Sequence, residues 1–118
     1  MNKRTLLPFN HNTSRANQVN FSQIRLGFSN LNNDLYMKNC LPTRECACGY
    51  FKEDANHYFF HCNRFNMQRL ALINHLHNVN VKPSLALILY GKKGIKENVM
   101  LSILKHVYDY IQNTERFV

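Results

Sequence analysis

Between residues 46 and 62 the chain reads CACGYFKEDANHYFFHC, and no other stretch limits its possible folds as much. Cys46 and Cys48 sit one residue apart, and Gly49 follows at once. Eight residues separate Cys48 from His57, and four separate His57 from Cys62. Three thiolates and one imidazole make a complete tetrahedral zinc shell with no open position. Gly49 fits a knuckle turn, which needs a residue tolerant of positive φ so that backbone N–H groups can face the sulfurs. Buried, reduced cysteines beside a packed histidine are the plainer alternative. Three of four cysteines on one seventeen-residue stretch with turn chemistry are better explained by a metal, although Cys-x-x-Cys is the commoner spacing.

The identity of the fourth ligand turns on where a helix ends. His57 and His61 are four apart and share a face if HYFFHC is fully helical. Cys62 reaches the metal only if the helix stops there. Asn63 and Arg64 read as a break before a new helix, which favours Cys62 over His61. Cys40 lies six residues before Cys46, with Pro42 between, and reads as a small hydrophobe.

A chain of 118 residues, 45 % hydrophobic and 19 % charged, is sized and composed for one small globular domain. No apolar run approaches the ~18 residues of a membrane span. The Leu6-Leu7-Pro8-Phe9 cluster is far too short for a signal-peptide core. Free cysteines at metal spacing without such a signal point to a reducing compartment, nuclear or cytoplasmic. The formal net charge of +8 favours a polyanionic partner, RNA or DNA before an anionic membrane. That charge is concentrated in acid-free flanks: Arg15 and Arg25 towards the N-terminus, and Lys92, Lys93 and Lys96 further on. Near the cysteines, Arg44 and Arg64 stand against Glu45, Glu53 and Asp54, and three thiolates on a dication add one negative unit. Phosphate contacts are therefore expected mainly from the flanks, with Arg44 and Arg64 as further candidates. Ordinary solvated lysines are the bland alternative.

The remaining chain predicts a mainly α fold, a small helical domain around one zinc-stabilised β-knuckle. Residues 1–15 read as a flexible lead-in, and residues 16–117 as one helical domain. A helix over 16–28 has apolar residues on two sides, Ala16, Val19 and Leu26 against Phe21, Ile24 and Phe28, so it is expected to pack between others. Asn32 or Asn33 is expected to cap a short second helix through Met37. Tyr50 and Phe51 read as the extended return of the knuckle, and Asp54 as the cap of the short helix bearing His57. Asn63 is expected to cap a helix running to about His77. Its Arg69 sits in the middle of an apolar face, either snorkelling to water or pairing with Glu53 or Asp54. Ser84 caps a short helix stopped by Gly91, and the last helix, about 96–113, has a broad apolar face.

Catalytic chemistry finds little purchase in the sequence. The one adjacent acidic pair, Glu53-Asp54, lies at a helix start, where capping explains it. Two-metal phosphoryl chemistry needs several converging carboxylates, and seven scattered acids do not supply them readily. No phosphate-cradling glycine loop is present.

Two segments together resemble a known family. The order QIRLGFSNLNNDLY, a short Pro-containing spacer and then CACGYFKEDANHYFFHCNRFNMQR is similar to the C-terminal region of non-LTR (LINE-type) retrotransposon reverse transcriptases. The LYG that ends the short apolar helix and the terminal YIQNTERF are similar to the same tails. The resemblance implies a zinc knuckle downstream of a polymerase domain that helps grip template RNA or target DNA, with Cys46, Cys48, His57 and Cys62 as ligands. It places Arg69 on the family's arginine after the last cysteine. The polymerase's catalytic carboxylate motif is missing from this chain, as is an endonuclease domain. The expectation is a non-catalytic nucleic-acid-binding module, either a terminal piece or a remnant. A zinc-stabilised protein-interaction module, docking on a polymerase body or on itself, is the alternative.

Overall fold

The computed structural model describes residues 14–118, and the expected lead-in over residues 1–13 lies outside them. Five α-helices are formed, and no β-strand is present among the described residues. The chain is mainly α, as its periodicity predicts. The first helix, α1, spans Arg15–Leu26. It starts slightly earlier than expected because Ser14 supplies the cap, its Oγ accepting from the Asn17 N–H at 3.2 Å. Gly27, at φ 78°, takes the left-handed turn that ends it. Only one side of α1 is covered. Phe21 and Ile24 are buried, whereas Val19, Leu26 and Phe28 are exposed. The expected packing on both sides is not realised among the described residues.

Helix α2, Asn32–Met37, has no side-chain cap of its own. The carboxylate of Glu53, 21 residues on, accepts from the Asn32 N–H at 2.8 Å instead. The anticipated asparagine cap is thus replaced by an acid from another segment, which ties α2 to the knuckle. Asn63 likewise does not cap the following helix. It opens a 3-10 turn, Asn63–Phe65, and α3 then runs Asn66–Asn78. In α4, Leu85–Tyr90, the Ser84 hydroxyl accepts from the Leu87 N–H at 3.1 Å, as its position predicts.

Helix α5, Glu97–Thr114, is the organising rod. Helices α1, α3 and α4 all pack on it. Its buried side includes Met100, Ile103, Leu104, Val107, Tyr110 and Ile111, a stripe at helical spacing. Burying such side chains stabilises by about 1.5–3 kcal/mol each before the entropy of ordering is counted.

Tyr58 plugs the segment between Cys46 and Cys62 into this core. It is fully buried, with the rings of Phe59, Phe65, Tyr110 and Phe117 all within 5.6 Å of its centroid. Its hydroxyl meets the Thr114 hydroxyl at 2.7 Å, and the Tyr110 hydroxyl donates to its carbonyl. Burial raises the Tyr58 phenol and pushes the Tyr110 phenol up to about 12, so both hydroxyls stay neutral hydrogen-bonding groups. His57 precedes Tyr58 directly and inherits this anchoring.

Candidate metal centre

Residues 57–61 form a π-helical turn rather than an α-helical one. It closes with the Cys62 N–H donating to the His57 carbonyl at 2.8 Å, a span of five residues. In an α-helix, residue i lies under i+4. The wider turn brings i+5 over i instead, so Cys62 stacks above His57 and His61 is displaced outwards. Cys62 then leaves the helix in an extended conformation, φ −68° and ψ 119°. Cys62 is fully buried in the cluster and His61 is exposed. Cys62, the residue the sequence favours, is thus brought into the cluster by a device that helical periodicity does not reveal. Asp54 acts as expected, its Oδ1 accepting from the His57 N–H at 2.9 Å.

The cysteine arm is a tight turn. The Gly49 N–H donates to the Cys46 carbonyl at 2.9 Å, and the Cys46 N–H donates to the Tyr50 carbonyl at 2.8 Å. Gly49 has φ 101°, the left-handed geometry expected of it. Further out, the Glu53 N–H donates to the Arg44 carbonyl at 2.8 Å. The register between these last two pairings shifts by one residue, as at a bulge. The arms therefore make a pinned turn without a β-ladder, and the β part of the expected knuckle is not seen among the described residues.

The four donors converge. The Cys46, Cys48 and Cys62 sulfurs and a His57 ring nitrogen all lie within 4.8 Å of one another, and none of the cysteines is in a disulfide. Cys46 Sγ is 3.8 Å from Cys62 Sγ, and Cys48 Sγ is 3.3 Å from His57 Nε2. A tetrahedral ion with bonds of about 2.3 Å to sulfur and 2.0 Å to nitrogen has edges of about 3.8 and 3.5 Å. The cluster thus fits a metal ion. Cys40 is exposed and stands outside it.

Arg64 reaches the same sulfurs. Its Nε donates to Cys62 Sγ at 3.3 Å, and its Nη2 to Cys46 Sγ at 3.2 Å and to Glu53 Oε2 at 2.8 Å. Burial raises the Cys62 thiol, but hydrogen bonds from Arg64 outweigh it and leave Cys62 below the ordinary thiol value. Burial pushes Cys46 up to about 11. The guanidinium thus offsets negative charge on the sulfurs, and a nucleic-acid role for Arg64 would compete with this bonding.

Glu53 sits behind Arg64 and is only 1 % exposed. Arg116 donates to it twice, from Nε at 2.8 Å and from Nη2 at 2.6 Å. Burial alone would raise this carboxyl, but Arg116, the Asn32 N–H and Arg64 together hold it below the ordinary carboxylate value. The sequence sets Glu53 against Arg64 in the local charge balance but does not anticipate its pairing with Arg116. The signal for Glu53 was its place between the knuckle and the capping Asp54, where one of two adjacent acids is free for a second task. Arg116 gave no local signal.

Arg69 neither snorkels to water nor pairs with Glu53 or Asp54. It is 8 % exposed. Its Nε donates to the Phe59 carbonyl at 2.9 Å and its Nη2 to the Cys62 carbonyl at 2.6 Å. These are carbonyls at the end of the π turn, which the helix cannot satisfy itself. Arg69 therefore locks α3 to the metal-bearing turn through backbone rather than through an acid.

His57 Nδ1 is buried without a hydrogen-bond partner. Ligating histidines are usually oriented through that second nitrogen. Here the Tyr50 ring does this by stacking on the imidazole, with centroids 4.4 Å apart and planes 5° from parallel.

The candidate phosphate-binding residues are dispersed. Arg15 and Arg25 lie near opposite ends of α1, Arg44 packs over the Tyr36 ring, and Lys92, Lys93 and Lys96 are exposed between α4 and α5. No helix among the described residues is long and apolar enough to cross a membrane. Compared with protein-family models, curated proteins and solved structures, the chain finds no match.

Proposed function

We propose that the chain is a zinc-bound nucleic-acid-binding module, non-catalytic by itself, of the kind found at the C-terminal end of non-LTR retrotransposon reverse transcriptases. The observation that carries the zinc assignment is the closed donor set of Cys46, Cys48, His57 and Cys62. Three sulfurs and one nitrogen suit zinc, and four protein ligands leave no position for a substrate. Arg64 is bonded to two of the sulfurs, which favours a structural site whose charge is neutralised within the protein. The formal charge of +8 and the sequence resemblance support RNA or DNA as the partner, in a nuclear or cytoplasmic setting beside a polymerase domain.

A specific observation favours a second role, protein docking. Val19 and Leu26 on α1, and Met67 and Leu70 on α3, are exposed apolar residues. The two roles separate in one experiment. Binding of the zinc-loaded chain to labelled single- and double-stranded RNA and DNA is followed as salt is raised. Phosphate-driven binding weakens steeply with salt. Absence of binding to all four at low salt overturns the nucleic-acid role. Concentration-dependent self-association insensitive to salt would support docking.

A further inference from the structure

Tyr50 and Phe51 are two large rings beside the metal donors that remain 46 % and 62 % exposed. Loop-tip residues are commonly mobile, but Tyr50 is held at both ends. Its carbonyl accepts from Cys46, and its ring lies flat on His57, itself only 3 % exposed. Phe51 stands beside it, with centroids 4.8 Å apart and planes inclined at 48°. His57 thus fixes the direction of the exposed Tyr50 ring, against which Phe51 packs.

Cations accompany several of the exposed rings. Lys52 Nζ lies 5.8 Å from the Phe51 centroid, Arg44 lies 5.1 Å from that of Tyr36, and Lys38 Nζ 4.8 Å from that of Phe28. The three pairs are linked through the fold. Tyr36 and Lys38 lie at the end of α2, and α2 is tied to the knuckle by the Asn33 N–H on the Glu53 carbonyl at 3.0 Å and by Asn32 Nδ2 on the Glu45 carbonyl at 2.7 Å. Acids are present as well. Lys52 touches Asp54 at 3.3 Å, both about one-third exposed, and Glu45 is exposed nearby. An exposed pair of that kind is weak and yields readily to a phosphate.

We propose that Tyr50 and Phe51 form a platform on which unpaired bases of a single-stranded nucleic acid stack, with Lys52 beside the rings and Arg44 on the facing arm of the turn for the phosphates. The proposal builds on the nucleic-acid role above and names its substrate class. Every base has a π face, so such a platform is tolerant of sequence, but it needs bases free of a duplex stack. The cations favour this occupant over an apolar protein surface. Positive charge beside exposed rings suits a single strand, whose bases stack while its backbone meets the cations.

The test uses the full zinc-loaded chain with a short oligothymidylate, the corresponding duplex and inorganic polyphosphate as probes. The Tyr50 ring stacks on His57 whereas the Phe51 ring packs on Tyr50, so Phe51→Ala is the cleaner variant. It should weaken oligothymidylate binding roughly 5- to 150-fold, the range for loss of one stacked base, and leave polyphosphate binding unchanged. Tyr50→Ala should do the same at the single strand, and Tyr50→Phe, which keeps the ring, should restore binding. Zinc content measured on each variant separates a lost platform from a lost metal. The platform is overturned if Phe51→Ala binds oligothymidylate as the parent does, or if it loses polyphosphate binding equally. A parent that binds duplex as tightly as single strand overturns it while leaving the broader nucleic-acid role intact. A parent that binds no nucleic acid overturns both.

Discussion

Arg116 and Glu53, 63 residues apart, meet in a two-pronged ion pair with donor–acceptor distances of 2.8 and 2.6 Å. Through Glu53 the end of the chain is coupled to Arg64, and through Arg64 to the sulfurs of Cys46 and Cys62. Glu115, in the left-handed region at φ 53°, ends α5 and turns the chain so that Arg116 can reach back.

Removing one partner of such a buried pair is costly because the other charge loses its compensation. Glu53→Gln should destabilise the metal-loaded fold by about 3–5 kcal/mol. Arg116→Gln should cost less, since Arg64 still faces the carboxylate. The folded carboxyl is held below its ordinary value of 4.5. Its contribution is therefore fully present above about pH 4.5 and is lost as pH falls through the lower folded value. Denaturant unfolding between pH 3 and pH 7 checks this: the acid-side decline should shrink in Glu53→Gln. An unchanged pH profile would show that the pair adds nothing to folding.

Metal loss should be felt throughout the small domain. Structural zinc contributes on the order of 10 kcal/mol in zinc-finger peptides, and small domains are only marginally stable. Chelation should cause cooperative loss of helical circular dichroism. Cys62→Ser should abolish stoichiometric zinc, and His61→Ala should retain it. Zinc retained by Cys62→Ser and lost by His61→Ala would mean that the turn is α-helical in solution and His61 the ligand.

The helices were largely legible in the sequence because their signals are local. Ser84, Gly27, Gly49 and Asp54 each act at the position where backbone chemistry calls for them. The four donors were legible because metal geometry restricts spacing. What the sequence hid is what depends on distant segments. Asn32 carries an excellent capping residue type, yet the helix is capped by Glu53, a choice made by tertiary packing. Arg69 on an apolar face invited an acid as its partner, but the unsatisfied carbonyls of an unforeseen π turn were the stronger demand. The second apolar side of α1 implied a cover that the described residues do not provide.

Arg69 is expected to hold the π turn. Arg69→Met keeps most of the stem and strands the carbonyls of Phe59 and Cys62, at about 1–3 kcal/mol for each buried acceptor left unpaired. Arg69→Lys should recover only part of this, because one ammonium cannot reproduce the planar fork that serves several carbonyls. Thermal unfolding of the zinc-loaded variants checks both. A lysine variant as stable as the parent would show that the charge, and not the fork, is what matters.

A pair of imidazoles across the α3–α5 contact should make stability fall below neutral pH. His75 and His106 stack with centroids 3.9 Å apart and planes 7° from parallel. His75 Nε2 meets the Ser102 hydroxyl at 2.8 Å, and His106 Nδ1 faces the Ser102 carbonyl at 2.8 Å. Burial first, and then the charge of His106, hold His75 below 6.5. No other charged group is found acting on His75, and Lys105 beside His106 pairs outwards with Asp109 at 3.5 Å. A histidine whose folded value is depressed binds its proton more tightly when unfolded. Stability should therefore decrease as pH drops through about 6.5 and level off below the folded value. His75→Phe should flatten the profile between pH 5 and 7. A slope that persists unchanged in that variant would assign it to other groups.

The exposed lysines between α4 and α5 should supply salt-dependent affinity rather than choice of strand. Lys92, Lys93 and Lys96 are exposed, flank Gly94 and precede α5, so their replacement should leave the fold and the zinc content intact. Each phosphate neutralised on a single strand contributes about 0.7 to the slope of log K against log salt. Replacing all three lysines by Gln should weaken binding to every sequence alike and flatten that slope by roughly two units if all three touch phosphate. Polyphosphate binding should fall in parallel, because a point charge does not distinguish one phosphate chain from another. Phe51→Ala should leave the slope nearly unchanged, since stacking releases no counterions. Combined with the triple lysine change, the two losses should add in free energy if the two sites are independent. A triple variant that keeps the parent's affinity and slope, while Arg44→Gln loses both, would leave the phosphate contacts to the knuckle cations alone.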